Sequence, residues 1–229
     1  MSKLKNVLIL IGSPKGPSST SKALADYLVS ELNNFGLKSK TAYLHRMVFR
    51  EKKQQEFLTL INKSDLIILS FPLYVDSFPA PVIKAMELIS NNKDILSPLS
   101  EKNFIAISNC GFPESKQIDT VIDMCKLFCE KVGFYWKGGL ELGGGAFIRG
   151  RPLEDIGGMA QNLRESLQIA AEKLANGEEI PQKARDLFSE PNIPTKIYKM
   201  MGNLGWRMQG LGNKNMFNLK QKPYKDEKS

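Results

Sequence analysis

Hydroxyl side chains are concentrated directly after the first apolar run of the chain. The segment GSPKGPSSTS (residues 12–21) follows VLILI and contains two glycines, Lys15 and five hydroxyl side chains: Ser13, Ser18, Ser19, Thr20 and Ser21. The first N–H groups of a helix have no intrahelical acceptor and carry partial positive charge, so a helix that begins here can bind an anion. A terminal phosphate fits this set of donors, whereas an ordinary helix N-cap needs only one hydroxyl. Lys15 either adds charge or is solvated. Neither GxxxxGK[ST] nor GxGxxG is present in this segment.

A second segment, FPLYVDSFPAP (residues 71–81), combines three prolines with three aromatic residues after a continuous apolar run. This composition predicts a rigid apolar wall, which suits a flat heterocycle better than a sugar or a peptide. The backbone N–H groups of Tyr74 and Val75 are candidate donors to such a ring. Tyr74 and Phe78 either pack beside the ring or cover the neighbouring helix.

The third segment, SNCGFPES (residues 108–115), places Asn109 and Gly111 after another apolar run. Amide and backbone donors here are expected to face the far edge of a bound ring. Cys110 lacks a neighbouring base that would activate it as a nucleophile, so a packing or ring-flanking role is favoured. His45 is the single histidine, and Cys125 and Cys129 have the spacing of core residues, so we expect no metal site.

Apolar runs of strand length alternate with helical patterns along the chain. The predicted strands are 7–11, 38–44, 65–71, 103–109 and 135–142, and the predicted helices are 23–32, 54–62, 82–90, 115–132 and 159–175. Continuous apolar strands indicate burial on both faces, so we predict an α/β three-layer sandwich with a five-stranded parallel sheet. The natural strand order is 2-1-3-4-5, in which ligands bind beyond the carboxyl ends of the strands. The three segments then meet at one edge and together describe a site for flavin mononucleotide (FMN).

Three stretches also carry a family resemblance: GSPKGPSSTS, PLYVDSFPAPVIKAME and NCGFPE. They resemble the NAD(P)H-dependent FMN reductase and quinone reductase family of flavodoxin-like fold, over about residues 1–175. The resemblance implies bound FMN, hydride transfer from NADPH or NADH, onward reduction of a small-molecule acceptor such as a quinone or another flavin, and a homodimer.

The resemblance also assigns roles by position. It implies phosphate contacts from Ser13, Ser19, Thr20 and Ser21. It implies isoalloxazine contacts from Pro72, Leu73, Tyr74, Val75 and Asp76, with Asn109, Cys110 and Gly111 beyond them. No catalytic side chain is assigned, because the cofactor supplies the chemistry and the protein supplies orientation. Arg149 and Arg151 are candidates for a nicotinamide-cofactor phosphate, or are solvated.

Charge is distributed unevenly along the 229 residues, whose net charge is +8. Residues 180–229 contain ten Lys/Arg and four Asp/Glu. We expect an FMN-binding domain over 1–177 and a basic extension over 178–229 that packs on the domain or a partner subunit. This packing is favoured over membrane contact, and no nucleic-acid partner is expected.

No apolar stretch approaches the ~20 residues of a membrane helix and no leader pattern is recognisable, so the expected location is cytoplasmic. The alternative functions are a flavodoxin-type electron carrier, although such carriers are typically acidic and shorter, and a flavin-binding protein without catalysis.

Overall fold

The structure is a computed structural model that describes residues 4–94, 96, 102–191 and 194–218. Its contacts divide the chain into two compact units, Met1–Asn192 and Ile193–Ser229. Residues 219–229 of the predicted extension lie outside the described residues. No helix in the described part of the chain is long and apolar enough to cross a bilayer.

Five parallel strands form the sheet of the first unit. They are β1 (Asn6–Ile11), β2 (Lys38–Tyr43), β3 (Leu66–Pro72), β4 (Asn103–Asn109) and β5 (Tyr135–Leu142), in the order β2-β1-β3-β4-β5. All of β4 is buried, as is β3 except for Pro72, because helices cover both faces of the central strands. The predicted fold class and strand order are therefore confirmed.

Helices form a layer on each face of this sheet. The helices of the first unit are α1 (Thr20–Asn34), α2 (Leu44–Met47), α3 (Glu51–Lys63), α4 (Ala80–Asn91), α5 (Asp119–Val132), α6 (Gln161–Ala175) and α7 (Gln182–Ser189). One core cluster joins the sheet to α1, α6 and α7, and the other joins it to α2, α3, α4 and α5. The second unit contains α8 (Thr195–Gly212) and a 3-10 turn, Met216–Asn218.

Two predicted helices begin differently in the structure. The predicted helix 115–132 opens with a 3-10 turn, Ser115–Ile118, before α5, and the segment ahead of α6 is also 3-10, Glu154–Ala160. A helical periodicity does not separate these two winding modes over one or two turns. The apolar pattern also left α2, α7 and α8 unpredicted, because α2 and α7 are short and α8 is rich in glycine.

The strand register aligns the carboxyl ends of all five strands. Ile11 pairs with Tyr43 on one side and with Ser70 on the other, while Asn109 pairs with Pro72 and Leu142. The loops that follow β1, β3, β4 and β5 therefore leave the sheet at the same edge. This is the edge at which doubly wound sheets bind ligands.

Candidate functional site

The loop between β1 and α1 ends in a well-formed helix cap. Ser19 is the N-cap residue of α1: its hydroxyl accepts the N–H of Lys22 at 3.1 Å and donates to the carbonyl of Gly16 at 2.7 Å. The N–H groups of Thr20 and Ser21 belong to the first helical turn, where no intrahelical acceptor exists. They are therefore available to an anion that lies beyond the end of β1.

The other hydroxyls of this loop differ in how far they are already engaged. Ser13 is 2% exposed, and its hydroxyl has no hydrogen-bond partner among the described residues. Thr20 donates its hydroxyl to the carbonyl of Gly145 at 3.3 Å. The side chain of Lys15 is exposed. Of the predicted phosphate contacts, Ser13 is thus a buried residue whose hydroxyl is unpaired within the described ranges.

Asn109 ties the three predicted loops together. Its side-chain N–H donates to the Ser21 hydroxyl at 2.9 Å and to the Phe71 carbonyl at 3.3 Å. Its backbone carbonyl accepts the N–H of Leu73 at 2.8 Å. The Ser70 hydroxyl donates to the Ser21 carbonyl at 2.8 Å. The amide that the sequence suggested as a donor to a ring edge is therefore used to hold α1 against β3.

The loop after β3 contains a tight turn in an uncommon conformation. Tyr74 and Ser77 exchange both backbone hydrogen bonds at 3.0 Å, and Val75 and Asp76 between them have φ of 49° and 55°. The Tyr74 N–H is therefore occupied, and of the two predicted donors Val75 lacks an acceptor among the described residues. A β-branched residue in this left-handed region is strained, and such strain concentrates at functional sites.

The aromatic residues of this loop have separate roles. Phe78 is buried, and its ring centroid lies 5.1 Å from that of Phe71, so it belongs to the core beneath α4. Tyr74 is 43% exposed. Pro72 and Leu73, at the start of the loop, are half-buried.

The third loop does not contain a reactive thiol. The Cys110 sulfur is directed toward the carbonyls of Phe112 and Glu114, at 3.5 and 3.7 Å. Burial raises the pKa of the Cys110 thiol above its ordinary value, which disfavours the nucleophilic thiolate. Gly111 and Phe112 follow as exposed residues at the tip.

A fourth segment, residues 143–151 after β5, contacts the first and third loops, and from the sequence only its arginines, Arg149 and Arg151, were candidates. Gly145 donates its N–H to the Cys110 carbonyl at 2.9 Å. Gly150 has a φ of +72°, and a Cβ placed there would lie 2.3 Å from the Ser18 carbonyl oxygen. The available signal was the triple glycine directly after β5, because close approach of two backbones requires glycine.

The two arginines of this fourth segment differ. The Arg151 guanidinium donates to the carbonyls of Phe147 and Ile148 at 3.0 and 3.3 Å, within its own turn. Arg149 is exposed, with a φ of 51°, and no partner for it is present in the described part of the chain. Arg149 is therefore the freer of the two predicted candidates for a nicotinamide-cofactor phosphate.

Positive charge also lies on the β2 side of the first loop. The Arg46 guanidinium stacks 4.9 Å from the centre of the Tyr43 ring and donates to His45 at 3.3 Å. The His45 ring faces Gly16, where a Cβ would lie 3.2 Å from it. Desolvation, and then the charge of Arg46, lower the pKa of His45. No cluster of three or more potential metal ligands exists within the described ranges.

A parallel sheet in the order 2-1-3-4-5, with helices on both faces and its loops gathered at the carboxyl edge, defines a flavodoxin-like protein. Residues 5–136, more than half of the chain, match the model of the Flavodoxin_2 family, which is described as having a flavodoxin-like fold. The chain belongs to this family, as the resemblance of its three loop segments indicated. No match was found among curated proteins.

Solved structures with the same fold include two enzymes and a flavodoxin. An FMN-dependent NADH-azoreductase from Bacillus anthracis, in complex with FMN, is 15% identical with a TM-score of 0.54, over 75% of this chain and 100% of that one. The NAD(P)H:quinone oxidoreductase from Methanothermobacter marburgensis is 16% identical with a TM-score of 0.54, over 77% and 96%. A flavodoxin from the pneumococcal strain TIGR4 is 16% identical with a TM-score of 0.53, over 75% and 99%.

Proposed function

We propose that this chain is an FMN-dependent oxidoreductase that takes a hydride from NADPH or NADH and reduces a quinone, a flavin or a similar small molecule. The observation that carries the proposal is the unpaired hydroxyl of the buried residue Ser13, in the loop whose end presents the N–H groups of Thr20 and Ser21. This hydroxyl is not among the fully enclosed polar atoms, so a phosphate oxygen can reach it and accept its hydrogen bond. These donors therefore fit the phosphate of FMN.

FMN, when bound, supplies the redox chemistry, because its ring system exchanges electrons in pairs with a nicotinamide. The protein's own contribution is to bind and orient. In the proposal Ser13 and the first turn of α1 hold the phosphate, and the loops that contain Val75 and Gly111 hold the ring. The exposed rings of Tyr74 and Phe112 offer apolar faces that exclude water from bound aromatic groups.

The activities of two of the similar structures support the proposed function. The azoreductase binds FMN and uses NADH, and the archaeal enzyme oxidises NAD(P)H with a quinone. Both have a fold similar to that of this chain, with TM-scores of 0.54. We extend the same class of reaction to this chain, with Arg149 as a residue that contacts a nicotinamide-cofactor phosphate.

The first experiment joins cofactor binding to turnover. The purified protein is loaded with FMN under anaerobic conditions, NADPH and NADH are added separately, and bleaching of the flavin absorbance is followed. We expect rapid bleaching with at least one donor. A protein that does not retain FMN, or that retains it without bleaching, contradicts the proposal.

A matched pair of variants tests the phosphate contact. Ser13→Ala removes the unpaired hydroxyl of a buried residue, and we expect FMN to bind about 10-fold more weakly, as for one hydrogen bond to a charged group. Ser18→Ala removes an exposed hydroxyl that bonds only to the Lys15 carbonyl of the same loop, at 3.2 Å, and leaves FMN affinity unchanged. Equal effects of the two variants contradict the assignment of Ser13.

The second candidate function is a flavodoxin-type electron carrier, because the pneumococcal flavodoxin shares the fold to the same extent as the enzymes. The two functions separate in the anaerobic experiment. A carrier retains FMN but leaves it oxidised with both nicotinamide donors, and accepts electrons from a separate reductase. The net charge of +8 favours the enzyme, since such carriers are typically acidic.

A homodimer is part of the same proposal. Light scattering of the FMN-loaded protein measures it directly, and a monomer that still turns over NADPH or NADH excludes a role for the dimer in the reaction.

A further inference from the structure

The helix α8 carries a continuous apolar stripe on one side. The members of this α8 stripe are Ile197, Met200, Met201, Leu204, Met208 and Leu211. At about 100° per residue they fall within an arc of about 100° on the helix surface. Each is at least 46% exposed, so none of the described residues of the second unit covers the stripe. An exposed apolar face of this regularity marks an interaction surface.

Charge in the same segment has one sign. The described residues 194–218 contain Lys196, Lys199, Arg207 and Lys214 and no aspartate or glutamate. Lys196 and Arg207 lie beside one margin of the stripe on the helix surface. Their aliphatic stems can lie along an apolar surface while the charged ends reach outward.

The glycines of α8 are also distributed unevenly around the helix. Gly202, Gly205, Gly210 and Gly212 all lie off the α8 stripe. Glycine weakens a helix that stands alone, so we expect this helix to be more stable when its stripe is covered. Trp206 lies on the side opposite the stripe and is also exposed.

We propose that α8 binds an anionic lipid surface, with the α8 stripe in the interface and the basic side chains at the headgroups. An interfacial helix needs an apolar face, basic residues around it and too little apolar length to span, and α8 has all three. A second copy of α8 fits less well, because each copy brings positive charge and no acidic partner. The sequence pattern alone favoured packing on the domain or a partner subunit over membrane contact; the proposal departs from that expectation because the stripe is regular and the charge around it has one sign.

Membrane docking would bring a reductase of the proposed kind close to acceptors dissolved in the bilayer. The docking itself does not depend on flavin binding. A negative FMN experiment therefore does not contradict membrane docking, and absence of docking does not contradict the proposed function.

The test uses the full-length protein and sedimentation with lipid vesicles. Phosphatidylcholine vesicles with phosphatidylglycerol should sediment the protein, and phosphatidylcholine alone should not. High salt should weaken the binding, because surface charges are screened. Binding to neutral vesicles that equals binding to anionic ones overturns the anionic part of the proposal, and absence of binding to both overturns all of it.

Two variants with the same introduced residue distinguish insertion from simple charge attraction. Leu204→Glu places a charge at the centre of the α8 stripe and should weaken vesicle binding by at least ~10-fold. Gln209→Glu places the same charge on the other side of the helix and should weaken it by no more than ~3-fold. Equal losses mean that charge alone is responsible, which overturns the role of the stripe.

The same samples also show whether a second copy of the chain covers the stripe. Light scattering without vesicles is measured for both variants and the parent protein. The proposal is overturned if the parent protein does not bind vesicles but forms a dimer that Leu204→Glu dissociates and Gln209→Glu leaves intact. That result would assign the stripe to contact with a second copy of the chain.

Discussion

Replacing Asn109 with alanine tests whether one buried amide positions the loops of the proposed FMN site. Asn109 is 7% exposed and donates two side-chain hydrogen bonds, to the Ser21 hydroxyl and to the Phe71 carbonyl. At about 1 kcal/mol for each bond, Asn109→Ala should lower the free energy of unfolding by about 2 kcal/mol. Because Ser21 then loses its tether, FMN should also bind about 10-fold more weakly, which corresponds to about 1.4 kcal/mol.

The same strand supplies the control. Asn103 lies at the opposite end of β4, is 8% exposed, and donates one side-chain hydrogen bond, to the Asp65 carbonyl at 3.3 Å. Asn103→Ala should therefore cost about 1 kcal/mol of stability, with FMN affinity within about 2-fold of the parent. Urea unfolding of the apo-protein and fluorescence titration with FMN measure the two quantities separately.

Two results would refute this reasoning. If Asn109→Ala lowers stability but binds FMN as the parent does, the hydrogen bond to Ser21 does not position the site. If Asn103→Ala weakens FMN binding as strongly as Asn109→Ala, the loss reflects general destabilisation and not the local tether.

Three further predictions concern stability. Glu141 has a pKa of about 7, raised first by desolvation and then by Asp119, so the free energy of unfolding should fall as pH rises from 4.5 to 7. Glu141→Gln should remove this pH dependence. At pH 8 the variant should be about 1–2 kcal/mol more stable than the parent, a value reduced for the partial exposure of Glu141. Gly150→Ala should cost about 2 kcal/mol more than Gly133→Ala, because both glycines have positive φ but only Gly150 meets another backbone. Val75→Gly should raise stability by about 1 kcal/mol by relieving the left-handed valine.

Urea midpoints decide all three. For Glu141→Gln they are compared at pH 5 and pH 8, and a pH slope equal to that of the parent protein refutes the assignment. Equal losses for the two glycine variants would mean that the Gly150 loop moves away without cost. A lower midpoint for Val75→Gly would mean that its left-handed backbone is not strained.

Much of the first unit was predictable because its physical signals are local. The apolar run of β4 predicted its bounds at Asn103 and Asn109, and the alternation of runs and helical periods predicted a parallel sheet with helices on both faces. The position of GSPKGPSSTS after β1 predicted a helix start, and Ser19 is the N-cap of α1.

Within the predicted loops, the sequence identified residues but not their partners. It marked Asn109 as a donor, and the fold directs that donor to Ser21 and Phe71. It left Tyr74 and Phe78 as equal candidates, and packing against Phe71 places Phe78 in the core. These outcomes depend on residues far apart in the chain, so no local pattern encodes them.

The sequence by itself determined the order of elements, the edge of the sheet where the loops meet and the donors that the loops contain. These follow from the period of apolar residues and from the positions of glycine, proline and hydroxyl side chains, which are signals that extend over only a few residues. Only the tertiary structure decided which donors remain free. Hydrogen bonds across the loops engage Asn109 and Thr20 and leave Ser13 unpaired, and residues 143–151 reach the site only because β5 ends beside β4. A polar group is available to a ligand when the fold has given it no other partner, and that is a property of the whole packed chain.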